Sequence, residues 1–201
     1  MSLLENRACR KGIDDQMKGF ERKNLLLSLC GLNCGLCPMY LSNYCPGCGG
    51  GSGNQACAIA RCSLSHNGIA YCYLCDVFPC EKYSDIDEFD SFITHQNQKT
   101  NLQRAQAIGI EAYVAEQNEK IGILKFLLEN YNDGRKKSFF CVAVNLLPLE
   151  DIKAVVEQLV IETEREALSV KEKAVTATQL FEAVAKRQGI QLKLHKKPSK
   201  K

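Results

Sequence analysis

Cysteine is the residue type whose number and spacing could do chemistry. Ten of the twelve cysteines fall between positions 30 and 80, as Cys30-x3-Cys34-x2-Cys37, Cys45-x2-Cys48, Cys57-x4-Cys62 and Cys72-x2-Cys75-x4-Cys80. A C-x2-C unit lets a tight turn aim two thiolates at one ion. Gly35, Pro46, Gly47 and Gly49 beside these units permit such turns and free amide N–H groups toward sulfur. Structural zinc takes four ligands of this kind in a tetrahedron, so the ten clustered thiols read as the ligands of about two zinc ions. The neighbours Cys45, Cys48, Cys57 and Cys62 are the first choice for one site. Cys34 and Cys37 with Cys72 and Cys75 would close the other, leaving Cys30 and Cys80 as alternates. His66, in SLSHNG, reads as an exposed turn residue rather than a ligand.

Other chemistries of clustered thiols fit less well. Cys30-x3-Cys34-x2-Cys37 has the spacing that holds a [4Fe–4S] cluster in radical enzymes, but those enzymes build on a barrel of about 200 residues or more. Beyond Cys37 this chain turns to more cysteine and then to helix. An iron–sulfur cluster used for electron transfer or redox sensing is the principal alternative cofactor, since thiolates bind either zinc or iron–sulfur. A redox-active C-x-x-C lacks a thioredoxin-like frame. No H-E-x-x-H occurs, GGGSG lacks the Lys-Ser/Thr of a phosphate loop, and all-cysteine zinc sites are usually closed to substrate. No catalytic residue is assigned. Cys141, inside FFCVAVNLL, reads as a small buried hydrophobe, and Cys9 as part of a mobile terminus.

The surroundings of the cysteines are unusual too. From 30 to 80 only Arg61 and Asp76 carry a formal charge, and glycine is dense in GCGGGSG. Such a segment holds little apolar material for a core, which predicts that metal binding, at roughly 10–16 kcal/mol per finger-sized unit, organises it. Two tetrathiolate sites would also take the formal net charge from +3 to −1. With so few Lys and Arg among the cysteines, nucleic-acid binding through this face is disfavoured. The remaining basic patches are Arg135-Lys136-Lys137 and the tail after Lys186, which read as solvated surface.

Four segments must position the thiols: a polar, loosely helical 1–24; a cysteine-rich 25–84; a helical 85–190; and a basic tail, 191–201. LLLSL (25–29) reads as a strand or one buried helical turn. DIDEFDSFI has the spacing of a short amphipathic helix, and NLQRAQAIG that of another ending at Gly109. The run from Ile110 places Val114, Ile121, Leu124, Phe126, Leu127 and Leu128 largely on one stripe and ends near Gly134. RKKSFFCVAVNLL is apolar and halted by Pro148, and LEDIKAVVEQLVIE opens with the acidic residues a helix N-terminus prefers. Ser169 and Glu172 fit a capping box for a helix running to Gly189, and IQLKL reads as the start of a strand. The expected fold class is therefore a small metal-stabilised cysteine-rich module of few short strands and turns, packed on or followed by a mainly α-helical region.

CGLNCGLCPMYL, CPGC, the C-x4-C and CYLCDVFPCEKY together resemble the domain of unknown function 3795 family, uncharacterised cysteine-rich bacterial and archaeal proteins described as zinc-binding. The resemblance covers about residues 28 to 84, and YNDGRKKSFFCVAVNLLPLED looks like the longer members. It implies Cys30, Cys34, Cys37, Cys45, Cys48, Cys57, Cys62, Cys72, Cys75 and Cys80 as metal ligands, and it implies no activity.

A hydrophobic fraction of 45% with 24% charged residues is that of an ordinary globular protein. Apolar runs such as 121–128 fall far short of the roughly 20 residues a membrane span needs. MSLLENRACRKGIDDQ lacks a hydrophobic run behind its charges, which predicts no export signal, reduced thiols and a cytoplasmic location. The expectation is a zinc-binding or adaptor protein for a protein partner or a second copy of itself, with FFCVAVNLLPL as either a contact surface or core.

Overall fold

The computed structural model describes residues 19–51, 57–164 and 168–198. Cys9 and most of the expected N-terminal polar segment lie outside the described residues, as do positions 52 and 53 of the glycine run and the end of the basic tail. Among the described residues seven α-helices succeed one another: α1 Pro38–Leu41, α2 Ala58–Ser65, α3 Gln98–Ile108, α4 Ile110–Asn130, α5 Lys137–Leu146, α6 Leu149–Glu164 and α7 Val170–Arg187. The described part of the cysteine segment also holds three 3-10 turns, Cys34–Leu36, Cys72–Leu74 and Glu81–Tyr83.

The helical body is built on α4, which packs against α3, α5 and α6, while α6 pairs with α7. Helix boundaries obey local chemistry. Gly109, at φ +86°, separates α3 from α4. Leu147 precedes Pro148, is pushed to extended backbone and ends α5. The Ser169–Glu172 capping box opens α7 with both reciprocal bonds in place. α4 stops at Asn130, with Gly134 (φ +90°) in the connection after it rather than at the cap. Phe140, Val144, Leu147, Ile152, Leu159 and Phe181 form the centre of the larger core. FFCVAVNLL is thus core, and Cys141 is buried in it, as the sequence suggests for that cysteine.

The expected strand-and-turn metal module is corrected by this structure. No strand occurs among the described residues, and the cysteine segment consists of short helices, 3-10 turns and hydrogen-bonded loops. Nor does it lack a core: Leu27, Tyr71 and Tyr83 pack with Leu102 and Ala105 of α3 and Tyr113 of α4. Leu36 enters the larger core beside Leu124 and Leu127. The apolar material missing from the segment itself is supplied by the helices it lies on.

Three local expectations fail for one shared reason, that short polar side chains capture the backbone. In 25–29, Asn24 Oδ1 accepts from the N–H groups of Leu26 (2.9 Å) and Leu27 (3.3 Å), and Ser28 Oγ from that of Leu32 (2.6 Å). The result is a buried turn, neither strand nor helix. In 85–93, Asp90 Oδ1 accepts from the His95 N–H at 2.6 Å, closing a loop where the spacing predicts a helix. The tail is no strand because Asp90 holds it: Oδ2 accepts from the His195 N–H at 2.7 Å, and the Asp90 N–H donates to the His195 carbonyl at 2.7 Å.

Candidate metal centre

The motif around the first three cysteines has two faces. Gly31 (φ +98°) leaves so little room that a Cβ there would lie 2.1 Å from the Gln98 carbonyl oxygen of α3, and one on Gly35 would lie 2.5 Å from Ile121 Cδ1 of α4. Asn33, between them, is buried and donates from Nδ2 to Asn145 Oδ1 at 3.2 Å. The residues between the cysteines thus dock on the helices. Cys34 to Cys37 and Cys72 to Cys75 close alike. In each a 3-10 turn has the second cysteine's N–H donating to the first cysteine's carbonyl at 3.0 Å.

The cysteines form two neighbourhoods. In the first, burial pushes Cys30 up to about 11 against a hydrogen bond with Ser28, and the adjacent Cys48 and Cys57 thiols push it further. Burial likewise takes Cys34 up to about 12, with Cys48 the nearest charge effect and a backbone N–H of Cys48 partly offsetting it. Cys48 is raised by burial, opposed by a backbone bond from Leu29 and by Arg22. Cys57 caps α2, accepting from the Ala60 N–H at 3.2 Å. These thiols crowd one another, with the Arg22 cation beside Cys48.

In the second neighbourhood Cys62, Cys72, Cys75 and Cys80 line one cavity of about 30 Å³ with His66, the rest of its wall being mainly apolar. Burial raises Cys72 to about 12 despite a hydrogen bond with Tyr83, and Cys30, Cys80 and Cys62 add to the effect. His66 is exposed at the end of α2, with Nδ1 2.8 Å from the Cys62 carbonyl oxygen and 3.7 Å from Cys62 Sγ.

Cys48 and Cys57 are together, Cys62 lies with Cys72, Cys75 and Cys80, and Cys34 lies beside Cys30, Cys37 and Cys48. Cys30 adjoins both Cys34 and Cys72, and Cys37 lies near Cys34 and the buried Cys141. Among the described residues no three His, Cys, Asp or Glu side chains stand together as a ready-made ion cage. The donor chemistry nonetheless suits a soft divalent ion: clustered thiols, an imidazole at the rim and N–H groups directed at sulfur.

Arg22 is the residue sequence reading missed, since it falls in a segment that reads as frayed. Its guanidinium donates to the Leu27 carbonyl (2.7 Å) and the Ala70 carbonyl (2.9 Å), and it stacks 4.8 Å from the Tyr71 ring centroid. No periodicity announces such a residue. The one hint is that it is the last arginine before an almost uncharged segment.

Residues 26–85 match the family described as Protein of unknown function (DUF3795). The cysteine segment is thus similar to that family. The match ends at Asp85, so α3 to α7, including YNDGRKKSFFCVAVNLLPLED, lie beyond it. No curated protein and no solved structure matches the chain. No described helix is long and apolar enough to cross a membrane.

Proposed function

We propose that the DUF3795 segment binds zinc through its thiolates and that the chain serves as a binding or adaptor protein for a protein partner. The observation that carries this reading is the small cavity bounded by Cys62, Cys72, Cys75 and Cys80 with His66 at its edge. Its lining of four thiols with one imidazole at the edge offers the donor number of a tetrahedral zinc site. Cys30, Cys34, Cys48 and Cys57 are the second donor set. Zinc would supply positive charge beside these largely half-buried thiols, allowing them to ionise. In all-cysteine form it is a structural ion with no open position for substrate. Leu74 and Val77, exposed on the chain between Cys72 and Cys80, support the adaptor half of the reading.

The test is anaerobic purification followed by elemental analysis and a visible spectrum. The expected result is a colourless protein with about two equivalents of zinc. Cys72→Ser and Cys34→Ser should each lose one equivalent, and Cys141→Ser none. Stoichiometric iron with acid-labile sulfide, or metal content unchanged in both variants, overturns the proposal.

A further inference from the structure

The chain after α7 lies against the body without filling the space around it. Gly189, at φ +68°, turns it out of the helix. Burial then alternates, with Ile190, Leu192 and Leu194 half-buried and Gln191, Lys193 and His195 exposed. Ile190 and Leu192 pack on the larger core. A cleft of about 740 Å³ stays open between this tail and Ser138, Phe139 and Val142 of α5. Another, of about 430 Å³, lies between the tail, Leu146 and Gln96. Both are in the range of ligand-binding clefts, about 300–1,000 Å³.

The other wall of this groove is the loop before α3, which grips the tail by its main chain. Asp90 exchanges two bonds of 2.7 Å with the backbone of His195, its N–H donating to the carbonyl and its Oδ2 accepting from the N–H. Gln96 Nε2 donates to the Lys193 carbonyl at 3.3 Å. Main-chain contacts of this kind hold any extended segment, and pockets for alternate side chains select among segments. Charge adds to the selection. The loop carries Asp85, Asp87, Glu88 and Asp90, whereas the chain from Gly189 onward has five lysines and no acidic residue. Lys197 Nζ lies 5.7 Å from the Phe89 ring centroid, within cation–π reach.

We propose that this groove, between α5 and the loop at 85–97, docks an extended basic segment of a partner protein with apolar residues at alternate positions, and that the tail occupies it in cis. The tail itself shows what the groove accepts. Its hold is shallow, because apolar stabilisation scales with the area removed from water and its three apolar side chains are each only half-buried. A partner segment that reaches further into the open clefts displaces it. The tail therefore sets a threshold, since apparent affinity falls with the fraction of molecules whose groove is free. The proposal rests on the adaptor half of the proposed function and gives it a partner class. It uses none of the thiols, so its failure is distinct from a failure of the metal measurements.

Fluorescence anisotropy of the full chain with a labelled peptide of residues 189–198 tests this. His195→Pro removes the N–H that Asp90 Oδ2 accepts, and it lies beyond the last helix, so it loosens the tail and leaves the helical body intact, as circular dichroism checks. The peptide should bind this variant saturably and at least about threefold more tightly than it binds the wild type. A peptide carrying Ile190→Ser, Leu192→Ser and Leu194→Ser keeps every lysine and should bind about tenfold more weakly. That comparison separates docking in the groove from attraction to the acidic loop, and it can be made on the wild-type chain as well. Absence of saturable binding to the variant overturns the proposal. So does equal binding of the serine peptide, or equal affinity of wild type and variant.

Discussion

Tyr113 Oη donates to Asn33 Oδ1 at 2.9 Å, joining α4 to the residue between Cys30 and Cys34. Asn33 passes the connection to Asn145 of α5 at 3.2 Å, so a single buried amide ties the cysteine segment to two helices. Burial is the main reason the Tyr113 phenol is held well above its ordinary range, with the Asn33 bond opposing it. Tyr113→Phe removes one donor and leaves Asn33 Oδ1 unpaired, which should destabilise by about 1–2 kcal/mol. Asn33→Leu strands both neighbours and should cost about 3 kcal/mol. Urea unfolding of the two variants measures both. Equal values would show that the Asn145 arm contributes nothing.

The two glycines of CGLNCGLC make a sharper pair of expectations. At Gly31 the obstacle is backbone, the Gln98 carbonyl oxygen, and φ is +98°. Gly31→Ala therefore has no inexpensive escape and should destabilise by about 3 kcal/mol or more. At Gly35 the obstacle is the end of a side chain, Ile121 Cδ1. Gly35→Ala should cost about 1–2 kcal/mol, and Ile121→Val, which removes that methyl, should recover most of it. Absence of rescue in the double variant would place the strain in the backbone instead.

The same motif shows what the sequence made legible and what it did not. The helices α3 to α7 were readable because their signals are local: Gly109, Pro148, the Ser169–Glu172 box and apolar periodicity. The cysteine spacing was equally plain. What could not be read was the second role of the intervening residues, because Gly31, Asn33 and Gly35 make sense only against Gln98, Tyr113 and Ile121, far along the chain. The absence of core residues in the segment suggests dependence on metal, whereas Leu102, Ala105 and Tyr113 supply that core from outside. The buried polar residues of α4 were hidden for a related reason. Gln117 and Lys120 lie on the buried stripe of α4, where polar letters read as solvent-facing.

Thiols that keep their protons at neutral pH must release them to bind zinc. Cys30 is held at about 11, Cys34 at about 12, and Cys48 is raised as well. Loading zinc at pH 7 into the first donor set should release about three protons or more, because thiolate is the ligand form. Calorimetry in buffers of differing ionisation heat counts them. Release of fewer than about one proton per ion would mean that these three are not ligands.

Lys120 supplies a pH dependence with a definite sign. Burial lowers its ammonium from 10.5 to about 8; Glu116 opposes the shift and Arg104 assists it. Tyr113, the other titratable group nearby, is held up and remains neutral over this interval. Between about pH 8 and 10.5 the unfolded chain binds a proton at Lys120 that the folded chain does not, so stability rises with pH across that window. The burial penalty is fully present below pH 8 and fades above it. The full change is about 3 kcal/mol, at 1.36 kcal/mol per pH unit. Lys120→Met lacks this proton, and the Leu147 carbonyl it leaves unpaired adds only a pH-independent offset. The difference in unfolding free energy, wild type minus variant, should therefore climb by about 3 kcal/mol from pH 7.5 to 10.5. A flat difference would show that Lys120 keeps an ordinary pKa and that its burial among α3, α4 and the Leu147 carbonyl carries no electrostatic penalty.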